Sequence, residues 1–522
     1  MSNFYDNVAD SLAFEVQSWW WAVFVVALAM AISWYARLMI QKSSKTRPSL
    51  PPGPPGLPLL GNLPFLESQL HLYLTRLSQT YGPIFKLRLG SKTCIIVNSP
   101  ELAKVILKDQ DAIFANRDVP ASALEVTYGG VDIAWSPNGP HWQKLRKIFV
   151  RGMMSNASLD ACYSLRRREV REMVKDIHGK VGSPINIADQ MFLTVLNVIT
   201  SMLWGGTILY GQERCSIGVE FRQVVGEIVE LLGKPNISDF FPALAPFDLQ
   251  GIQRKMKKLS LWFDRFFESV LAGQTKYEGK EETKDLLQFL LELKDQDDEK
   301  TPCLSMEEIK ALFVDIVVAA TDTTSTTVEW AMTEMLQHPE IMRRACEELD
   351  EVVGKQNIVE ESHLPRLIYL EAFMKETLRL HPPVPFLIPH RPSKSCCVAG
   401  YTIPEGSRIL VNIWAMQRDS QVWKNSDEFE PERFLKEPGN GDYHGNFFNF
   451  LPFGSGRRIC AGIPLAEKMT KYVLATLLHS FEWKTPEEVE LDVFEKFGIV
   501  LKKATPLIAV PMVRLPALEQ YS

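Results

Sequence analysis

Phe453-Gly454-Ser455-Gly456-Arg457-Arg458-Ile459-Cys460-Ala461-Gly462 places an aromatic ring, glycines, an arginine and a cysteine at the spacing F..G.R.C.G. A cysteine sulfur ligates haem iron as its thiolate only where something holds the negative charge. Arg458 stands two residues before Cys460, and the backbone around it is glycine-flanked. The residues after it, Ile463 to Ala466 and Lys468, read as the start of a helix whose first amides would face the sulfur. A lone free cysteine is more often a core residue. Five specified residues in one loop shift the balance towards a ligand.

The rest of the 522-residue chain has the composition of an ordinary globular protein, long enough for one large unit or two closely packed lobes. A net charge of -6, with no basic domain or arginine run, argues against nucleic-acid binding. The eight cysteines, of which only Cys396 and Cys397 lie close together, suggest no disulfide framework and fit a reducing compartment.

Val16 to Ala36 carries no charge and would span roughly 30 Å as a helix, enough for a hydrocarbon core. Asp6, Asp10 and Glu15 precede it, whereas Arg37, Lys42, Lys45 and Arg47 follow. The positive-inside rule then expects residues 1–15 in the lumen, 16–36 as an uncleaved anchor, and the body in the cytosol, with tryptophans at both interfaces. A cleaved signal peptide is the alternative, but the stretch is long and no clean small-residue site follows. Residues 37–56 are basic and then proline-rich, and Leu50 to Gly56 reads as a stiff extended spacer ahead of a folded domain at 57–522.

Apolar runs at Ile84–Leu89 and Cys94–Val97, set between glycine turns, predict a minor sheet. From His141 onward helical periodicity dominates, as in Arg168–Ile177 and Thr283–Leu293, and the charge-rich Lys276–Thr301 reads as a solvated loop and helix end. The expected fold class is therefore mainly α with a small β lobe. Ser305 with Glu308 forms a capping box, opening a helix from Met306 to about Gln337 that Pro339 ends. At about 48 Å it would cross the whole domain. Its middle, Thr321-Asp322-Thr323-Thr324-Ser325-Thr326-Thr327, is poor in helix formers and predicts a local distortion, unless the hydroxyls bond back one turn or face solvent.

With these pieces in order, the chain resembles the cytochromes P450, haem-thiolate monooxygenases, of the membrane-anchored plant microsomal type. The resemblance runs through nearly the whole chain: anchor, proline hinge, Trp142 with Arg146, the threonine-rich helix, Glu376 with Arg379, Pro431 to Phe434, and the cysteine loop. It implies haem b with Cys460 as the iron ligand and Phe453 in the ligand loop. Trp142, Arg146, Arg458 and, as a further candidate beside Arg391, His390 would serve the haem propionates, since guanidinium forks suit carboxylates. Glu376 and Arg379 would be joined by Arg433 in a buried network under the haem loop. Asp322 and Thr323 match the family's acid and alcohol, which relay protons to bound dioxygen. The family usually has glycine where this chain has Ala320, so the placement of the oxidised carbon does not carry over.

Electrons would come from a membrane-bound NADPH-dependent reductase, because no dinucleotide fingerprint or flavin domain is evident. Lys144, Lys147 and Arg457 are candidates for its docking face, each with ordinary solvated charge as the alternative. The resemblance places Val317, Ala320, Val384, Phe386 and Ile499 over the haem, a mostly apolar set that suits a lipophilic substrate. Overall texture is most similar to plant sesquiterpene hydroxylases, with a flavonoid or other aromatic hydroxylase as the close alternative. A haem-thiolate isomerase or dehydratase would have no use for the Asp322–Thr323 pair, and a haem sensor would need no cavity. The expected setting is the endoplasmic reticulum membrane, single-pass, with O2, membrane lipid and a small lipophilic substrate as partners.

Overall fold

The computed structural model describes residues 21, 25–26, 28–30, 33, 49–205, 213–274, 286–295, 304–436, 441–487 and 490–521. Within the expected anchor only Trp21, Val25, Val26, Leu28, Ala29, Met30 and Ser33 are described; they are helical and exposed. The remainder of residues 1–48 lies outside the described residues.

The architecture is mainly helical with small sheets. Phe85, Leu87 and Leu89 alternate into the core of the strand Ile84–Leu89. Gly90, in left-handed conformation, turns the chain into Lys92–Val97, with Ile84 opposite Val97. Three strands from distant sequence complete this sheet: Arg408–Val411 joins parallel, followed by His390–Arg391 and Asn116–Arg117. Arg117 ends opposite His390. This last pairing sets two polar side chains together at the sheet edge.

The long helix runs Met306–Gln337, with both halves of the capping box formed: Glu308 N–H donates to Ser305 Oγ at 3.1 Å and Ser305 N–H to Glu308 Oε2 at 2.6 Å. It packs against the helices Ile187–Trp204 and Ile463–Ser480. Burial of their apolar faces, from Val195 and Leu196 to Leu474 and Leu477, makes the main core.

Three expectations change here. The threonine-rich centre of the long helix is unbroken α-helix, because the hydroxyls satisfy themselves one turn back: Thr321 Oγ1 to Val317 O (2.7 Å), Thr323 Oγ1 to Ala319 O (2.6 Å) and Thr327 Oγ1 to Thr323 O (2.8 Å). The expected helix at 283–293 is Leu286–Asp295, its first three residues lying outside the described set. The proline-rich stretch is also no free spacer. Lys86 N–H donates to Pro52 O (2.7 Å), Lys86 Nζ to Pro51 O (2.7 Å) and Thr402 N–H to Ser49 O (3.0 Å). A Cβ on Gly53 would stand 2.1 Å from Lys86 O, so only glycine permits this docking.

Candidate active site

The cysteine loop is held by its own backbone. Cys460 N–H donates to Phe453 O at 3.0 Å, closing the loop, and Gly456, at φ 68°, sits so close to the π-helical turn Val105–Asp109 that a Cβ would meet Leu107 O at 1.8 Å. Beyond it the helix Ile463–Ser480 begins as expected. Gly462 N–H points at Cys460 Sγ, 3.4 Å away. The sulfur opens onto an internal cavity yet lies deep in the fold. That depth pushes the thiol up, while the amides of Gly462 and Ile463 and the charge of Arg146 oppose the rise. The cation that favours the thiolate is thus Arg146 rather than Arg458.

Arg458 instead turns from the sulfur and donates to Ala115 O (2.6 Å), Ile133 O (3.2 Å) and Ser136 O. Arg146 donates to Ile459 O (2.6 Å), and Arg117 to Ile388 O (2.7 Å) and Ala134 O (3.2 Å). Among the described residues none of the three has a carboxylate ion-pair partner, although all line the cavity. Burial lowers all three guanidinium pKa values, and repulsion between arginines lowers Arg117 and Arg458 further, Arg117 well below its ordinary value and Arg458 to about 10. His390 differs from its expected role as a cationic donor: burial and the neighbouring Arg117 hold it neutral, and its Nδ1–H goes to Phe114 O at 2.8 Å. His390 still lines the cavity, whereas Trp142 does not. Its Nε1–H donates to Ile133 O (3.0 Å), and its ring carries the Arg458 guanidinium at 4.1 Å and that of Arg146 at 5.5 Å.

The cavity, about 320 Å³, lies between this loop and the long helix. Leu312, Asp315, Ile316, Ala319, Ala320, Thr323, Thr324 and Thr327 line it, one stripe at helical spacing. Asp322 lies off that stripe. Its Oδ1 pairs with Lys502 at 2.5 Å, its Oδ2 is buried with no hydrogen-bond partner, and burial raises its pKa against the pull of Lys502. Behind the cysteine loop, Glu376 and Arg379 are fully buried and joined by two 2.8 Å bonds; Arg433 Nε reaches Glu376 Oε1 at 3.0 Å. Arg379 also donates to the carbonyls of Gln417, Ser426 and Glu428.

The family model for cytochrome P450 matches residues 51–510. The chain belongs to the cytochrome P450 family. It is 37% identical to a flavonoid 3'-monooxygenase of Crocosmia x crocosmiiflora, covering 94% of this chain and 97% of that one. It is 39% identical to a geraniol 8-hydroxylase of Swertia mussotii, with the same coverage of each. A zebra fish cytochrome P450 solved with abiraterone superposes with a TM-score of 0.72 at 26% identity, covering 86% of this chain and all of that one. This P450 is accordingly a monooxygenase that uses haem b and takes electrons from NADPH through a reductase.

The residues present fit the haem. Three guanidiniums, Arg117 and Arg458 buried and Arg146 partly so, with no ion-paired carboxylate among the described residues, call for an anionic ligand, and the cavity between them puts Cys460 on its wall. Phe453 and Val384 line the same cavity, as does Ala320. Val317, Phe386 and Ile499 do not. Val317 faces the helix core, Phe386 packs beside Phe497 at 5.6 Å between ring centres, and Ile499 lies against the main core. Of the expected reductase-docking cations, the half-buried Lys144 is tied to Glu308 at 2.9 Å, Arg457 is exposed while paired with Asp111 at 3.1 Å, and Lys147 is exposed. Arg117 and Asp315 are the residues that sequence reasoning missed.

Proposed function

We propose that this P450 hydroxylates a flavonoid or closely related aromatic plant metabolite. The observation that carries this is the similarity to flavonoid hydroxylases from several plants, 36–39% identical over about nine-tenths of the chain or more. Bound haem supplies the activation of dioxygen. The protein's part is to hold Cys460 as thiolate through Arg146 and two amides, and to hold the propionates with Arg117, Arg146 and Arg458. Asp322, off the cavity-lining stripe, takes up protons on the Lys502 side, and the neighbouring Thr323 hydroxyl on the wall opposite the cysteine loop delivers them at the cavity. The methyl of Ala320 narrows the space beside Thr323, which bears on the carbon presented for attack. Glu376, Arg379 and Arg433 keep the loop's foundation rigid.

A terpenoid substrate is the second reading, favoured by the aliphatic wall of Val195, Val198, Ile199 and Leu312 and by the likeness to geraniol 8-hydroxylase and, at 38%, carnosic acid synthase of Salvia pomifera. The relatives do not single out the sesquiterpene expected from overall texture. The test is product analysis after incubation with plant reductase, NADPH and oxygen, with a flavanone, geraniol and a sesquiterpene hydrocarbon offered in parallel. Turnover of the flavanone to a ring-hydroxylated product is expected; turnover of terpenes alone would overturn the main reading.

We also place the protein in the endoplasmic reticulum membrane with 16–36 as anchor, 1–15 lumenal and the catalytic body cytosolic. An exposed apolar face supports a lipid-facing side: Leu59, Leu60 and Phe65 from one segment, Phe247 (67% exposed) and Leu249 (61%) from another. Gly90 N–H to Leu60 O and Ser91 N–H to Phe240 O tie the two segments to one turn.

A further inference from the structure

Asp315 lines the cavity two turns before Thr323 and has no part in the chemistry above. Its Oδ2 accepts from Ile133 N–H at 2.8 Å and Ala134 N–H at 3.0 Å, and both of these residues also line the cavity. Asp132, at the head of the same loop, accepts from Trp135 N–H and Ser136 N–H, each at 3.1 Å. The two carboxyls are hydrogen-bonded to each other, which requires a proton between them. The loop's carbonyls point the other way: Ile133 O accepts from Trp142 and Arg458, Ala134 O from Arg117, and Ser136 O from Arg458. Residues 132–136 are thus gripped by carboxyls on their amide side and by the haem-site cations on their carbonyl side.

We propose that Asp315, acting with Asp132, is a positioning residue that latches Ile133 and Ala134 into the cavity wall and so sets the size of the molecule admitted. This deepens the monooxygenase reading only in needing a cavity that takes an organic guest; it is independent of which metabolite is natural. Burial raises the pKa of both carboxyls, and the charge of Asp132 raises Asp315 further. The charged groups facing the pair are Arg117 from the edge strand and Arg458 from the cysteine loop, with Arg146 behind them on the helix Pro140–Gly152. Raising the pH removes the shared proton, sets two buried like charges against each other and loosens the latch.

The test uses the haem-loaded protein and two iron-binding probes, imidazole and the bulkier phenylimidazole, titrated spectrally from about pH 6 to about pH 9. Variants are compared at each pH so that probe protonation cancels. Asp315→Ala should shift the ratio of the two dissociation constants about tenfold in favour of the bulky probe, and speed amide exchange in residues 132–136. Asp315→Asn, which still accepts both amides and donates to Asp132, should keep the wild-type ratio at neutral pH but lose its drift at high pH. An unchanged ratio in Asp315→Ala would overturn the proposal. Should that variant fail to fold, a wild-type pH drift in Asp315→Asn would overturn it equally, and a flat profile would uphold it.

Discussion

Two groups of buried arginines flank the cysteine loop, and they are built on opposite principles. Arg379 and Arg433 share the carboxylate of Glu376, Arg433 also reaches Glu430 at 3.5 Å, and their other donors go to main-chain carbonyls, so two carboxylates balance two guanidiniums. Arg117, Arg146 and Arg458 are also held by carbonyls but have no carboxylate in ion-pair contact; burial lowers their pKa values, and at Arg117 and Arg458 repulsion from neighbouring arginines adds to it against a partial pull from Asp132. A carbonyl orients a guanidinium without neutralising it. The first group is scaffold, and the second is an anion site that the folded chain keeps at a cost.

The sharpest way to break this contrast is to remove a charge from each side. Glu376→Gln strands two buried guanidiniums and should cost roughly 3–5 kcal/mol, read as a large fall in urea midpoint whether or not haem is present. Arg117→Met should do the reverse: stability without haem unchanged or higher, because a repulsive neighbour is gone, while haem is lost to a scavenger about tenfold faster. Equal destabilisation by both variants without haem would erase the distinction.

A third, smaller effect extends the paired class to pH. Burial would raise Glu334, but hydrogen bonds from His338 (3.4 Å) and His381 (2.7 Å) override it and hold the carboxyl at about 2, against an ordinary value of 4.5. A depressed folded pKa contributes stability above the unfolded value and loses it as pH falls. The wild type should lose roughly 3 kcal/mol between about pH 4.5 and about pH 2, and Glu334→Gln should flatten that slope in acid denaturation curves.

Much of this was legible in the chain because the signals were local. The capping box at Ser305 and the stop at Pro339 set both ends of the long helix. The cysteine loop and the three-residue spacing of Glu376 and Arg379 each fit within a few turns of backbone. Arg117 carried no such signal: its bond to Ile388 O spans 271 residues, and its strand partner is equally remote. Val317 was a different kind of miss. It stands seven residues before the cavity-lining Thr324, about 20° away around the helix and just past the edge of the stripe, so periodicity could not exclude it and its packing into the main core decided it. The hydroxyl cluster read as a distortion because propensity counts threonine as a helix breaker, whereas back-bonding to the preceding turn lets the helix continue.

The docking of Ser49 and Pro51–Pro52 against Lys86 and Thr402 has a mechanical consequence. On the proposed anchor ending at residue 36, residues 37–48 would reach at most about 40 Å when taut. Under that proposal the catalytic body would swivel over a small disc of bilayer without wandering from it, and a reductase in the same membrane would meet a target confined to a thin layer.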